Sequence, residues 1–91
     1  MTRIDRIRAA LETALAPQQL EIEDQSHQHV GHAGAATGRG HVRVDIVAAA
    51  FAGESAVARH RRVYAALGPL MDTDIHALSL RARAPGEARN P

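Results

Sequence analysis

Histidine is the residue type through which this sequence is best equipped to do chemistry. The chain has six histidines and no cysteine, which excludes disulfides, thiol redox catalysis and a thiolate metal site built from this chain alone. Four of the six histidines fall between His27 and His41. Because a neutral imidazole binds borderline metals, the histidines are the candidate metal ligands.

The segment HQHVGHAG, from His27 to Gly34, contains three of these histidines. His27, His29 and His32 could form a zinc site with an open fourth position. Against this, closely spaced histidines in a glycine-rich segment are often only solvated, and no second shell for ligating imidazoles is evident. The segment also contains Gly-x-x-Gly, which resembles the nucleic-acid clamp of KH domains without its basic central residues.

Another candidate ligand is His76, which is predicted to open a strand in phase with Leu78 and Leu80. On an apolar strand face a histidine is often a hydrogen-bonded core residue. At the first residue of a strand, however, one ring nitrogen can stay accessible to a metal. Spacing alone leaves both interpretations open.

Arg59, Arg61 and Arg62 form a basic group around His60 on a predicted helix. One interpretation is that they dock a partner or bind a phosphate or the carboxylate of glutathione. The other is that they form an ordinary solvated helix face, since surface charge needs no functional explanation.

Hydrophobic periodicity predicts the elements that must position these residues. A helix begins at the Thr2–Asp5 capping box and ends at Pro17, and a second helix begins at Ser55 and ends or restarts near Leu67, before Gly68 and Pro69. Alternating residues predict strands from Leu20, from Val42 to Ile46, and from His76 to Arg83. The long connection from Ser26 to Gly40 has almost no large apolar residue and is typical of a functional or disordered loop.

The order of these elements predicts an α+β domain, and the length and composition predict that it is a single small domain with a thin core. Of the 91 residues, nineteen are alanine, and leucine, isoleucine, valine and phenylalanine together are only nineteen. We expect a stability on the order of 5 kcal/mol. The net charge of +1 lacks the strong positive field of a dedicated nucleic-acid binder. With no nucleophile arrangement, catalytic carboxylate pair, membrane span or signal peptide, the sequence predicts a non-enzymatic cytoplasmic protein with no membrane contact.

Three segments resemble the BolA family across nearly the whole chain, from Ile4 to Pro85: LEIEDQSHQHVGHAG, HVRVDIVAAAFAGESAVARHRRVYAAL and IHALSLRARAP. The most specific motifs are Phe51-Ala-Gly-x-Ser55, Arg59-His60-Arg61 and Ile75-His76-Ala77-Leu78, in the family's order and spacing. The loop is similar to versions from alphaproteobacteria and plants. The chain is thus identified as a member of the BolA family, with the BolA-like domain at residues 1–86 and a flexible tail at 87–91.

The resemblance implies an α-β-β-α-α-β domain related to class II KH domains, with a three-stranded mixed sheet and helices on one face. It also implies a heterodimer with a monothiol glutaredoxin that shares a [2Fe-2S] cluster. The glutaredoxin cysteine and glutathione would supply the thiolates, and this chain would supply His76 and a loop histidine, His29 or alternatively His32. No cluster is expected to bind tightly to the isolated chain.

The resemblance therefore predicts an adaptor for iron-sulfur cluster trafficking or iron and redox regulation. The alternative is a DNA-binding transcriptional regulator, which the KH relationship allows, with weak DNA binding. The chain departs from the family pattern at Gly40-His41-Val42, where Thr-His-Phe is common, so no role is predicted for His41.

Overall fold

The computed structural model describes residues 1–25 and 40–87, which form one α+β domain. The elements are α1 (Arg3–Leu15), β1 (Gln19–Asp24), β2 (Gly40–Val47), a short 3-10 helix (Ala49–Phe51), α2 (Ala56–Leu67), α3 (Leu70–Thr73) and β3 (Ile75–Arg83). This order confirms the predicted α-β-β-α-α-β arrangement. Within these ranges no helix is long and apolar enough to cross a membrane.

The three strands form one mixed sheet in the order β1-β2-β3. The central strand, β2, is antiparallel to β1 and parallel to β3. Parallel strands need a crossover connection, and α2 and α3 supply it between β2 and β3. Since β2 and β3 run in the same direction, their first residues meet at the same edge of the sheet.

Local signals in the sequence explain where the helices begin and end. Thr2 and Asp5 form the predicted capping box at the start of α1, with both hydrogen bonds at 3.1 Å. The Ser55 hydroxyl accepts the Ala58 N–H at the start of α2. Gly68 ends α2 with a φ of +51°, a conformation that a glycine adopts without steric cost.

The core lies between the helices and one face of the sheet, here called the inner face. Phe51, which is completely buried in the 3-10 helix, is the largest side chain in it. The same buried cluster contains two residues of α1, two of α2 and the alternating residues of β2: Ile7, Leu11, Val63, Leu67, Val42, Val44 and Ile46. No helix among residues 1–25 and 40–87 packs on the opposite, outer face of the sheet, which carries polar strand residues such as Glu21, Arg43 and Asp45.

Candidate histidine site and family membership

His41 and His76 lie side by side at the edge where β2 and β3 begin. Their ring centroids are 5.3 Å apart and the ring planes are inclined by 47°. His41 is half-buried and His76 is exposed. His41 is the second residue of β2 and His76 is the second residue of β3. These two residues are here called the histidine pair.

A β-bulge at the start of β3 explains why His76 is exposed. Gly40 pairs with Ile75, but the next residue, His41, pairs with Ala77, so His76 is the extra residue. The prediction that His76 lies in phase with Leu78 and Leu80 on an apolar face is therefore wrong. Ile75, only 1% exposed, takes the core position instead.

The bulge is anchored by Asp74, a buried acid immediately before β3. Its carbonyl accepts the Gly40 N–H at 2.9 Å, and its carboxylate accepts hydrogen bonds from Arg6 of α1 and from the Thr73 hydroxyl. The Thr73 hydroxyl and the Arg6 guanidinium lower the pKa of the Asp74 carboxyl. Asp74 therefore links α1 to the starts of both strands that carry the histidine pair.

The centroid separation of the histidine pair is that of an ordinary ring contact and also matches two imidazoles on one metal ion. With a nitrogen–metal distance of about 2.1 Å, each ring centroid lies about 3.2 Å from the metal, and a tetrahedral angle then separates the centroids by about 5.2 Å. The observed separation is 5.3 Å. Residues 1–25 and 40–87 contain no group of three or more potential ligands, so within them the pair offers two positions, and other ligands must come from elsewhere.

The sequence-predicted loop ligands lie outside the part of the chain that the structure describes. His27, His29 and His32, together with the Gly31–Gly34 motif, fall in residues 26–39. The zinc interpretation and the choice between His29 and His32 therefore stay predictions. No role for His41 was predicted from the sequence, although parallel pairing of two strands that each begin near a histidine would have placed it beside His76.

The predicted basic group on α2 separates into different environments. The Arg59 side chain is mostly buried and forms a two-point ion pair with Glu87, at 2.6 and 2.7 Å. Arg62 is about half exposed and bonds the Glu54 carboxylate, whose pKa it lowers. Arg61 is exposed on the helix surface.

Glu87 is the first residue of the predicted tail, and the structure attaches it to the domain. Its carboxylate accepts hydrogen bonds from Arg59 and from the Ala84 N–H, and these lower its pKa to about 2. The contribution of this contact is present above the ordinary glutamate pKa of 4.5 and is lost as the pH falls towards 2. Residues 88–91 lie outside the described part of the chain.

Comparison with known proteins identifies the family. The family model for BolA-like proteins matches residues 11–87. The chain belongs to the BolA family. It is 45% identical to an uncharacterized protein from Sinorhizobium over 96% of both chains, and 37% identical to the DNA-binding transcriptional regulator BolA from Escherichia coli over 84% of this chain and 70% of that one.

A solved BolA structure supports the fold over the same range. The BolA domain of SufE1 from Arabidopsis thaliana superposes with a TM-score of 0.83 at 43% identity, covering 97% of this chain and 98% of that one. Some curated BolA-like relatives are longer: the chain spans 56% of the Arabidopsis chloroplastic BOLA1 and 61% of mouse BolA-like protein 1. The predicted BolA architecture is confirmed.

Proposed function

We propose that this BolA-like chain is a non-enzymatic adaptor that binds a monothiol glutaredoxin and helps to hold a shared [2Fe-2S] cluster. The observation that carries the proposal is the histidine pair. His76 is exposed on a β-bulge, and its ring centroid lies 5.3 Å from that of His41. His76 is exposed to a partner, His41 is half-buried beside it, and the starts of two paired strands hold both residues. This arrangement suits cargo that must be received and released.

His76 is the fixed ligand in this proposal, and a second histidine completes the chain's contribution. The spacing of the rings favours His41 as that residue, whereas the family resemblance favours His29 or His32. The glutaredoxin cysteine and glutathione supply the thiolates, since this chain has no cysteine. Histidine in place of two thiolates raises the reduction potential of a [2Fe-2S] cluster relative to ligation by thiolate alone.

The chain's own residues hold and orient the ligands. The bulge keeps the His76 ring on the surface, while Asp74 and its Arg6 partner fix the strand ends beneath it. Because an imidazole must be neutral to bind iron, protonation competes with ligation. We expect the cluster signal of the complex to change as the pH falls from about 8 to about 5.5, through the range in which histidine titrates.

Replacing His76 by alanine is expected to prevent formation of the mixed-ligand cluster complex. The chain would be mixed with a cluster-bearing monothiol glutaredoxin and glutathione, and visible absorption and circular dichroism recorded. Loss of a ligand should reduce the characteristic species at least about tenfold, since even outer-shell changes cost ten to a hundredfold. Ser79→Ala, which changes an exposed residue of β3 that is not a candidate ligand, is the control and should leave the spectrum unchanged.

The same experiment identifies the second ligand. His41→Ala, His29→Ala and His32→Ala are made as single variants. The one that loses the cluster species, as His76→Ala is expected to do, identifies the second histidine ligand. If His76→Ala forms the same species as the parent protein, the ligand assignment is wrong. A circular-dichroism signal that is unchanged from about pH 8 to about pH 5.5 would also contradict histidine ligation.

The second candidate function, DNA-binding transcriptional regulation, is favoured by the name of the Escherichia coli relative. The net charge of +1 offers few phosphate contacts, and Arg59 and Arg62 already pair with carboxylates. A steep dependence of DNA affinity on salt, lost on changing Arg59 and Arg62, would support this alternative. A shallow dependence would contradict it.

A further inference from the structure

A basic cleft separates α2 from the C-terminal half of β3, on a part of the molecule distinct from the histidine pair. It has a volume of about 440 Å³ and is lined by Arg59, His60, Arg81, Arg83 and Glu87, with two alanines. This volume falls within the range of small-ligand sites. Its lining includes three arginines and one glutamate. Arg59 pairs with Glu87 and Arg83 pairs with Asp45, so these three arginines and two carboxylates leave one positive charge in excess.

Arg59 is held in place independently of the acid that it binds. Its Nε donates to the Glu54 carbonyl at 2.9 Å, and its Nη1 donates to the Ala82 carbonyl at 3.1 Å. These backbone contacts fix the guanidinium. The second Nη1–H and an Nη2–H then donate to the two Glu87 carboxylate oxygens, in the two-point geometry that matches a carboxylate. The two guanidinium nitrogens that bind Glu87, Nη1 and Nη2, are here called the fork. Because the backbone contacts already hold it in place, binding a carboxylate there requires little ordering of Arg59.

Glu87 reaches this fork through a tight turn at the end of β3. The Glu87 N–H donates to the Ala84 carbonyl at 3.2 Å, and Gly86 between them has a φ of +87°. Proline followed by glycine suits the central positions of such a turn. The Glu87 side chain is 40% exposed, so its carboxylate can leave the fork without disturbing the core.

Arg83 is a second sign that the cleft can accept a polar ligand. Its side chain is only 13% exposed, and its buried Nε–H has no hydrogen-bond partner among residues 1–25 and 40–87. Its Nη2 bonds Asp45 at 3.0 Å. A buried donor without an acceptor is costly, and an incoming anion in the cleft that Arg83 lines would reduce this cost.

We propose that this cleft is a binding site for a carboxylate from an acidic segment of a protein partner, and that Glu87 occupies the site in the free chain. The resident group is itself a carboxylate bound at two points, which favours this chemistry over a nucleic-acid phosphate backbone. The proposal goes beyond the histidine pair and does not depend on iron.

The test is a titration of the isolated chain with an acetylated, amidated hexaglutamate peptide, with hexaglutamine as the uncharged control. Nuclear magnetic resonance follows the amides of Ala82, Ala84 and Gly86, and calorimetry gives Kd. Glu87→Gln removes the resident carboxylate and should bind the peptide about tenfold more tightly. This factor is expected if Glu87 occupies the site in about nine tenths of the parent molecules, which leaves about one tenth free to bind. Adding Arg81→Gln to this variant should reverse most of the gain.

Thermal unfolding of each variant confirms that it is folded before binding is compared. Equal affinity of the parent chain and Glu87→Gln for hexaglutamate would overturn the proposal, as would equal binding of hexaglutamine or no binding at all. Inorganic phosphate provides a separate arm. If phosphate gains as much affinity from Glu87→Gln as the peptide does, the assignment of the site to carboxylates is wrong.

Discussion

Phe51→Ala is expected to destabilise the domain by about 3–5 kcal/mol, which is close to the whole stability expected for a chain of this composition. Phe51 is the sole phenylalanine, it is completely buried, and it is the largest side chain of the core. Only nineteen leucine, isoleucine, valine and phenylalanine residues are available in the sequence. A cavity at this position therefore has few large neighbours that can move in to fill it.

Urea unfolding followed by circular dichroism measures this effect. Val57→Ala is the matched control, because it also truncates an apolar side chain but one that is 59% exposed on α2. It should change the free energy of unfolding by no more than about 0.5 kcal/mol. Phe51→Leu, which retains most of the apolar volume, should fall between the two. Equal free energies for Phe51→Ala and Val57→Ala would contradict the assignment of Phe51 to the core.

The arrangement of elements was predictable because the signals for it are local. Thr2 with Asp5, and Ser55 alone, cap helices through contacts within three residues. The alternation of Val42, Val44 and Ile46 follows from the period of a strand and places them on the inner face. Each of these features could be read without knowing what lies across the fold.

The candidate site was less predictable because it depends on a bulge and on strand pairing. An unbroken alternation through Leu78 and Leu80 puts His76 on the inner face, and only the inserted residue turns it towards His41. Asp74 offered no periodic signal, since its partner, Arg6, lies 68 residues away. Contacts across the fold decided which polar residues became the structural supports of the site.

Asp45 shows the same difficulty on the outer face of the sheet. Alternation along β2 predicts that it faces away from the core, as it does, but the residue is only 6% exposed. Its carboxylate accepts a hydrogen bond from Arg83 of β3 at 3.0 Å. The outer face therefore contains a buried ion pair that joins the central strand to the wall of the basic cleft.

Asp45→Ala is expected to lower the free energy of unfolding by about 3 kcal/mol, because it leaves the Arg83 guanidinium without its counter-charge. Removing one partner of a buried pair costs about 3–5 kcal/mol, and the lower end applies where an arginine can extend towards water. Glu54→Ala is the control. It removes the partner of Arg62, which is 48% exposed, and should shift the urea midpoint much less.

The double variant Asp45→Ala/Arg83→Met separates loss of the ion pair from loss of packing. If the cost arises from an uncompensated charge, removing that charge as well should recover at least about 1 kcal/mol relative to Asp45→Ala, since methionine fills similar space without a charge. Urea unfolding of the four proteins completes the cycle. Additive losses would instead show that Asp45 and Arg83 stabilise the sheet independently, and that the pair seen across β2 and β3 contributes no coupling of its own.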